Sequence, residues 1–439
     1  MLARAAGAAN SKTDMRETFR SLRHQNYRLW AIGALLSNVG TWMQRTAQDW
    51  IVLTQLTHNN ATAVGIVMSL QFGPQLLLLP LAGPAADRWN RRRVLMVTQA
   101  AMALLALALG LLALSGLAVL WHVYVLAFLL GCVTAFDAPA RQAFVGELVG
   151  DDDLANAVAL NATSFHAARM IGPAVAGVLL AGVGAGWAFL VNAASFVPVL
   201  VALGLIRPGT LHPQQRGTPA QGGFAQGMEY VRRRPDLITT FIMMFLVSTF
   251  GLNFAIFIPT MAVAAFHAGA GQYGTLSSVM AVGSVAGALL AARQARPRLA
   301  ILLASAGAFG VGCLGAAVSP DLWLFGFALL FTGVAAQIFM TTTNSLVQLS
   351  TDQGMRGRVM ALLLAIILGC TPLGSPLVGW VADACGPRWS LGVAAASGFA
   401  ALLVGMRFLA RRDRGRLPAQ AGADARAAAP ASDIDGRRV

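Results

Sequence analysis

The side chains that could carry a proton lie within long apolar segments of this sequence. Asp49 stands four residues after Arg45, and Arg169 stands three residues after His166. An unpaired arginine at the centre of a bilayer costs at least about 2.5–3.5 kcal/mol, so Arg169 must face the protein interior and find a partner there. Asp49 is a candidate proton carrier and a candidate partner of Arg169. The alternatives are that Asp49 pairs with Arg45 on its own helix or lies at the interface beside Trp50. His166 is either a second proton carrier or a structural histidine with a hydrogen bond.

The first apolar segment has one polar side. Asn38, Trp42, Arg45 and Asp49 follow one another at helical spacing, and Ser37, Thr41, Gln44 and Gln48 broaden the same side. A helix that is polar on one side within a bilayer lines protein or water, so this pattern predicts a helix that lines a cavity. The predicted cavity residues are Asn38, Trp42, Arg45 and Gln48, joined by Asn161, Asn253 and Gln337 from later segments.

The composition identifies lipid as the solvent of most of the chain. Of 439 residues, 56% are hydrophobic and only 11% are charged, with a mean hydropathy of +0.64. A water-soluble surface of this size needs far more charge, so an all-α membrane protein is indicated. The four cysteines are scattered and support neither a disulfide framework nor a metal site. With no phosphate-binding loop, paired carboxylates or Ser/His/Asp arrangement, we expect no enzyme and no cofactor.

Twelve apolar runs are long enough to cross a bilayer, which takes about 20 residues. They begin near residues 28, 62, 94, 118, 155, 185, 239, 274, 299, 322, 358 and 389. The predicted organisation is therefore a cytoplasmic N-terminal tail (1–27), a six-helix bundle (28–206), a central cytoplasmic loop (207–238), a second six-helix bundle (239–410) and a disordered cytoplasmic tail (411–439).

The basic residues set the predicted orientation. The net charge is +14, and nearly all of the 32 Lys and Arg residues fall in the tails and in every second loop. Cytoplasmic loops carry such an excess, so both termini are predicted to be cytoplasmic. The charge is explained by topology, and we expect no binding of nucleic acid.

The two bundles share a sequence pattern. At a constant offset of 202 residues, Gly172, Gly177, Gly184 and Trp187 match Gly374, Gly379, Gly386 and Trp389. Small residues let helices approach closely, so the fifth and eleventh spans are predicted to lie at the interface between two halves related by a pseudo-two-fold axis.

The loop after the second span carries the sequence "GPAADRWNRR". Its Gly83, Asp87, Arg88, Arg91 and Arg92 resemble the G-x-x-x-D-R-x-x-R-R signature of the major facilitator superfamily, whose fold has twelve helices in two six-helix bundles. Asn90 stands where that family usually has glycine. The resemblance implies a conformational latch in which the aspartate faces the N-terminus of the eleventh helix. The arginines would pair with an acid on the fourth helix, for which Asp137 is the candidate.

Other stretches resemble one branch of that superfamily, the enterobactin exporter and its bacterial relatives. They are "NVGTWMQRTAQDWIVLTQLT", "FDAPARQAFVGELV" and "MRGRVMAL". Gly172, Pro173 and Gly177 also resemble part of the antiporter motif of the fifth helix. The resemblance implies a monomeric inner-membrane exporter of a siderophore, drug or other amphipathic small molecule, driven by proton antiport. The alternatives to an exporter are a proton-coupled importer of a small nutrient and a membrane sensor that does not transport.

Overall fold

In the part of the chain that the structure describes there are twelve long helices, and all of the connections between them are short except the one between the sixth and seventh helices. The computed structural model describes residues 19–207, 209, 211–212, 224–293 and 298–427, apart from the side chains of residues 79, 84, 86, 87, 224 and 412–427. The helices begin within four residues of the predicted starts. They are α1 Gln25–Ile51, α2 Ala61–Arg88, α3 Arg91–Leu114, α4 Leu120–Val149, α5 Asp151–Gly182, α6 Ala185–Leu205, α7 Pro235–Ala265, α8 Ala270–Ala292, α9 Leu299–Val318, α10 Leu322–Ser350, α11 Arg356–Cys385 and α12 Pro387–Ala427.

Eleven of these described helices are long and apolar enough to span a membrane by length and composition. The exception is α1, whose 27 residues suffice for a crossing but whose polar side lowers its hydropathy. This helix is largely covered by its neighbours α5 and α6, and Gln44 on α1 accepts a hydrogen bond from Asn192 on α6 at 2.6 Å. The polar residues of α1 therefore contact protein and not lipid, where they would be costly.

The helices form two halves with the same internal packing. In the first half α2 packs on α4, α3 on α4 and α6, and α1 on α6; in the second half α8 packs on α10, α9 on α10 and α12, and α7 on α12. Adding six to each helix number of the first half gives the pairs of the second. The predicted pseudo-two-fold arrangement of two six-helix bundles is thus observed.

The halves meet along two seams, α2 against α11 and α5 against α8. The predicted placement of α5 and α11 at the interface is therefore confirmed, although each packs against a helix other than its repeat partner. At Gly65 a Cβ atom would lie 2.5 Å from the carbonyl oxygen of Ser375, and at Gly274 a Cβ atom would lie 2.6 Å from the Cα of Gly177. Glycine is required at these positions because backbone meets backbone.

These close contacts lie toward one end of the bundle, which we call the Asp383 end; the opposite end, where α3 begins, is the Arg91 end. Near the Arg91 end of α2, a Cβ atom at Gly83 would meet nothing within 4 Å. The halves are therefore closed against each other at the Asp383 end.

Two described segments outside the twelve helices pack at the Arg91 end. Ser21 and Arg23, ahead of α1, bond to Asn156 and Asp153 in the first turns of α5. A short helix, Phe224–Arg232, lies within the predicted central loop and contacts α7 and α11. Helical backbone continues from α12 to Ala427, where disorder was predicted, and the rest of the predicted tail, residues 428–439, lies outside the described part.

Candidate functional site

A cavity of about 360 Å³ lies between the two halves. This volume is at the lower end of the range found for small-molecule sites. Both halves contribute walls, α1, α2 and α5 from the first and α7, α8, α10 and α11 from the second. Most of the lining is apolar, and the aromatic and sulfur-containing members are Trp42, Met68, Phe72, Phe254, Tyr273, Met280 and Met340.

The charged groups of the cavity come from the first half. The guanidinium carbon of Arg45 lies 5.1 Å from the ring centroids of both Trp42 and Phe72, and that of Arg169 lies 5.5 Å from the Trp42 ring centroid. Aromatic faces attract cations, and each such contact is worth about 0.5–2 kcal/mol. The Nε of Arg45 is buried without a hydrogen-bond partner among the described atoms. The two arginines are thus held by rings and keep hydrogen-bonding capacity for another molecule.

Asp49 also lines the cavity, and it is only 8% exposed. Within the described residues, neither the predicted Asp49–Arg169 ion pair nor the alternative Arg45–Asp49 pair forms. The neighbouring Trp50 stacks on Tyr273 of α8 with ring centroids 5.6 Å apart. Trp50 thus packs against the opposite half of the protein, and Asp49 is buried in the cavity between the halves. Among the described residues no ion pair or hydrogen bond holds its carboxylate, which faces the cavity.

Five of the predicted proton-coupling and cavity residues line the cavity between the halves: Trp42, Arg45, Asp49, Arg169 and Gln337. The other predicted members, Asn38, Gln48, Asn161, Asn253 and His166, are not part of the lining.

Hydrogen bonds and packing explain most of these differences. Asn253 is fully buried between α7 and α11, where it donates to the carbonyl oxygen of Thr249 and accepts from Ser375. Asn38 accepts from Arg141 of α4 at 3.0 Å. Gln48 is buried in α1, and His166 packs edge-on against Phe165. A polar residue within a membrane-spanning helix therefore either lines the cavity or is buried against a neighbouring helix, and the sequence does not distinguish the two.

The glycines and proline of α5 shape both sides of this helix. A Cβ atom at Gly172 would lie 2.6 Å from the Cβ of Trp42, so this glycine lets α5 approach α1. A Cβ atom at Gly177 would lie 3.0 Å from the Cα of Gly274, so this glycine lets α5 approach α8. Pro173 lies between them on the cavity wall and leaves the carbonyl oxygen of Arg169 without its helical donor.

An aspartate closes the α2–α11 seam at the Asp383 end. Near the C-terminus of α11, Asp383 accepts hydrogen bonds from the backbone N–H groups of Ala61 (2.7 Å) and Thr62 (2.9 Å), and from the Thr62 hydroxyl (2.5 Å). These donors are the first residues of α2, so the carboxylate caps this helix across the interface between the halves. The sequence analysis missed this residue. Its signal was the spacing Gly379-x-x-x-Asp383, which repeats Gly83-x-x-x-Asp87.

Replacing Asp383 with alanine is expected to loosen the closed end. The cap is worth about 0.5–2 kcal/mol, which corresponds to a shift of roughly 2–30-fold in the equilibrium between the closed and the open seam. The measurement is alkylation of Ser69→Cys, since the Ser69 hydroxyl donates to the Pro372 carbonyl oxygen across the same seam. The native cysteines are replaced beforehand. Asp321→Ala is the matched control, because Asp321 caps α10 within one half; equal labelling of both variants would contradict the role of Asp383.

At the Arg91 end two of the predicted latch arginines have partners within the first half. Arg91 pairs with Glu147 of α4 at 2.9 Å, and Arg92 donates to the carbonyl oxygens of Leu203 and Gly204 at the end of α6. Arg88 is exposed. The side chain of Asp87 lies outside the described part of the structure, so its predicted contact with α11 stays a prediction.

The predicted pairing of these arginines with Asp137 is wrong. Asp137 is buried and accepts from Arg141 (3.0 and 2.8 Å), one turn later on α4, and from Thr98 and Gln99 of α3 (2.7 Å each). Because α4 continues to Val149, Arg141 lies inside the helix and takes the carboxylate that the loop arginines were expected to bind.

Replacing Asp137 with alanine is expected to destabilise the protein by about 3–5 kcal/mol, because it leaves the guanidinium of Arg141 uncompensated. Thermal unfolding in detergent measures this loss. The double variant Asp137→Ala/Arg141→Met is expected to regain much of it. Glu229→Ala breaks an exposed pair with Arg233 and should cost under about 1 kcal/mol. A small loss for Asp137→Ala would mean that the network contributes little.

Similarity to known proteins agrees with this architecture. A family model described as transmembrane secretion effector matches residues 16–429. The staphyloferrin A transporter of Staphylococcus aureus (strain NCTC 8325 / PS 47) is 27% identical over 354 residues, which are 79% of this chain and 87% of that protein. The enterobactin exporter EntS of Escherichia coli O81 (strain ED1a) is 27% identical over 366 residues, which are 82% of this chain and 85% of that protein.

Two solved structures share the fold. A bacterial homolog of the human lysosomal transporter Spinster, in an inward-facing and occupied conformation, has a TM-score of 0.68 and 16% identity, over 89% of this chain and 97% of that chain. A D-xylose–proton symporter has a TM-score of 0.68 and 12% identity, over 86% and 96%. From the twelve-helix architecture, the central cavity and these matches, we conclude that the chain is a multi-pass membrane protein and secondary transporter that belongs to the transmembrane secretion effector family of the major facilitator superfamily.

Proposed function

We propose that this protein exports an amphipathic, oxygen-rich small molecule of the siderophore class by alternating access, in exchange for protons. The observation that carries the proposal is the cavity between the halves, where Arg45, Asp49 and Arg169 face a mostly apolar wall and the Asp383 end is closed. The names of two relatives, a staphyloferrin A transporter and an enterobactin exporter, support this cargo class.

We assign the Arg91 end to the cytoplasm. Described basic residues at this end include Arg20 and Arg23 ahead of α1 and Arg91, Arg92 and Arg93 at the start of α3, as the positive-inside rule requires of a cytoplasmic side. In a bacterial inner membrane, the described state is then closed toward the outside and receives cargo from the cytoplasm. We propose that a monomer carries out the cycle, with the halves rocking about the cavity.

The two walls of the cavity differ in chemistry, and this difference suggests how cargo binds. Phe254, Met280 and Met340 of the second half offer flat or adaptable apolar contact. Arg45 and Arg169 of the first half offer donors only, so they suit carboxylate, catecholate or carbonyl oxygens. A cargo with an apolar body and oxygen acceptors at one end fits both walls at once.

Asp49 supplies the coupling step in this proposal. A carboxylate that is ionised accepts hydrogen bonds from the hydroxyl groups of a cargo, and a carboxylate that holds a proton accepts them less well. Cargo and proton therefore compete for one side chain. By reciprocity of linked equilibria, cargo released outside leaves Asp49 free to take a proton inward.

Proteoliposomes with a pH gradient test the direction of coupling. The probes are iron-free enterobactin and iron-free staphyloferrin A, and glucose is the control cargo. An acidic lumen is expected to drive uptake of at least one siderophore into the liposomes, whichever way the protein is inserted, because protons leave as cargo enters. Glucose should not accumulate.

The same uptake measurement with the pH gradient reversed distinguishes antiport from its alternatives. If uptake required an acidic exterior, cargo and proton would move together, and the alternative of a proton-coupled importer would replace the antiport proposal. Equal uptake under both gradients would show that protons are not coupled to transport at all.

A further inference from the structure

A second cavity, of about 630 Å³, lies on the outer surface of the first half, away from the transport cavity. We call it the α3–α4 groove. Its walls come from the first part of α3 and the second part of α4, and they are mostly apolar: Val94, Val97, Ala101, Val133 and Phe136 are among the lining residues. Val97 is 69% exposed, so the groove opens away from the protein.

The groove lies at the membrane depth where a phospholipid changes from headgroup to acyl chain. It begins at Trp89 and Asn90, in the turn between α2 and α3, and reaches Ala101. At 1.5 Å per residue, the distance from Arg93 to Ala101 is about 12 Å along the helix. Trp89 stacks on Phe136 with ring centroids 6.4 Å apart, and tryptophan is typical of the boundary between hydrocarbon and headgroups.

The three consecutive arginines at the start of α3 have different environments. Arg91 is paired with Glu147, and Arg92 donates to the end of α6. Arg93 alone of the three lines the groove, where its side chain is exposed, and no described residue neutralises it. The groove therefore combines an apolar channel with one positive charge at its headgroup end.

From this combination we infer that the α3–α4 groove binds one anionic phospholipid of the leaflet at the Arg91 end. The phosphate would lie on the Arg93 guanidinium, which donates hydrogen bonds in a planar fork, beside the N-terminal turn of α3. An acyl chain would lie along Val97 and Ala101 toward the middle of the bilayer. Basic pockets between membrane helices are suited to such headgroups.

Native mass spectrometry of the full purified chain tests the site, with dioleoyl phosphatidylglycerol and dioleoyl phosphatidylcholine titrated separately. The wild type is expected to hold one phosphatidylglycerol about fivefold more tightly than phosphatidylcholine. Arg93→Gln is expected to remove this preference. Arg407→Gln is the matched control, because Arg407 is also exposed near the Arg91 end, on α12, and lies outside the groove. Val97→Trp fills the groove without changing charge and is expected to weaken both lipids.

Three results would overturn the inference. Arg93→Gln could keep the preference, which would show that the headgroup is not read by this side chain. Arg407→Gln could lose it to the same extent, which would show diffuse attraction to surface charge. Val97→Trp could leave both affinities unchanged, which would place the lipid elsewhere. All three substitutions are at exposed positions, so the variants should fold.

Discussion

Replacing Asp49 with asparagine is expected to uncouple transport from the proton gradient. Asparagine keeps the size of the side chain but cannot ionise, so cargo and proton no longer compete for it. At one proton per cargo and without a membrane potential, each unit of pH gradient can sustain about a tenfold concentration ratio of cargo. We expect this ratio to fall to about one in Asp49→Asn proteoliposomes with an acidic lumen, while downhill exchange of cargo continues.

The pH dependence of cargo affinity gives an independent test of the same side chain. In the wild type, raising the pH removes the proton from Asp49 and frees the carboxylate for cargo, so affinity should rise with pH. The variant should show no such slope. Glu229→Gln, which changes an exposed acid on the short helix between the halves, should behave as the wild type. An affinity that falls with rising pH in the wild type would contradict competition between cargo and proton.

Replacing Gly274 with valine is expected to abolish transport by keeping the α5–α8 seam apart. A Cβ atom at this position would lie 2.6 Å from both the Cα of Gly177 and the carbonyl oxygen of Pro173. Both neighbours are backbone atoms, so they cannot move aside as a flexible side chain would. The halves can relieve the clash only by separating at the Asp383 end, and the cycle then lacks its closed state.

Transport of the siderophore that the wild type takes up is expected to fall at least about a hundredfold, which corresponds to about 2.8 kcal/mol or more against closure. Alkylation of Ser278→Cys should become faster, because the Ser278 hydroxyl donates to the Met170 carbonyl oxygen across the same seam. The matched control is Gly271→Val, one turn earlier on α8, where a Cβ atom would meet nothing within 4 Å. If the two variants transported equally well, the seam would have no part in closure.

The sequence predicted the membrane architecture because hydropathy and charge act locally. A run of about 20 apolar residues must cross the bilayer wherever it stands, and basic loops stay on one side of it. The predicted helix starts therefore lie within four residues of the observed ones. The polar side of α1 was also predictable, because polar side chains are costly in contact with lipid and must face protein or a cavity.

The sequence did not determine which polar side chains meet. Arg45, Asp49 and Arg169 face one cavity, while Asn253 and Asn38, which look equally polar in the sequence, bond to other helices. Asp137 pairs with Arg141 of its own helix, because α4 continues to Val149 and so places Arg141 one turn after Asp137. Helical spacing gives the side of a helix on which a residue lies, but the neighbour on that side depends on how all twelve helices pack.

Closure at the Asp383 end was decided by tertiary structure alone. The same spacing of glycine and aspartate occurs at the ends of α2 and α11, yet only the packing of the two halves shows that Asp383 reaches the first turn of α2. In the same way, the three consecutive arginines at the start of α3 (Arg91, Arg92 and Arg93) lie in three different environments. The sequence determines that such charges stay at the membrane surface, because a charge in the hydrocarbon core is costly. What each arginine contacts depends on how the neighbouring helices cross, and no local sequence pattern encodes that geometry.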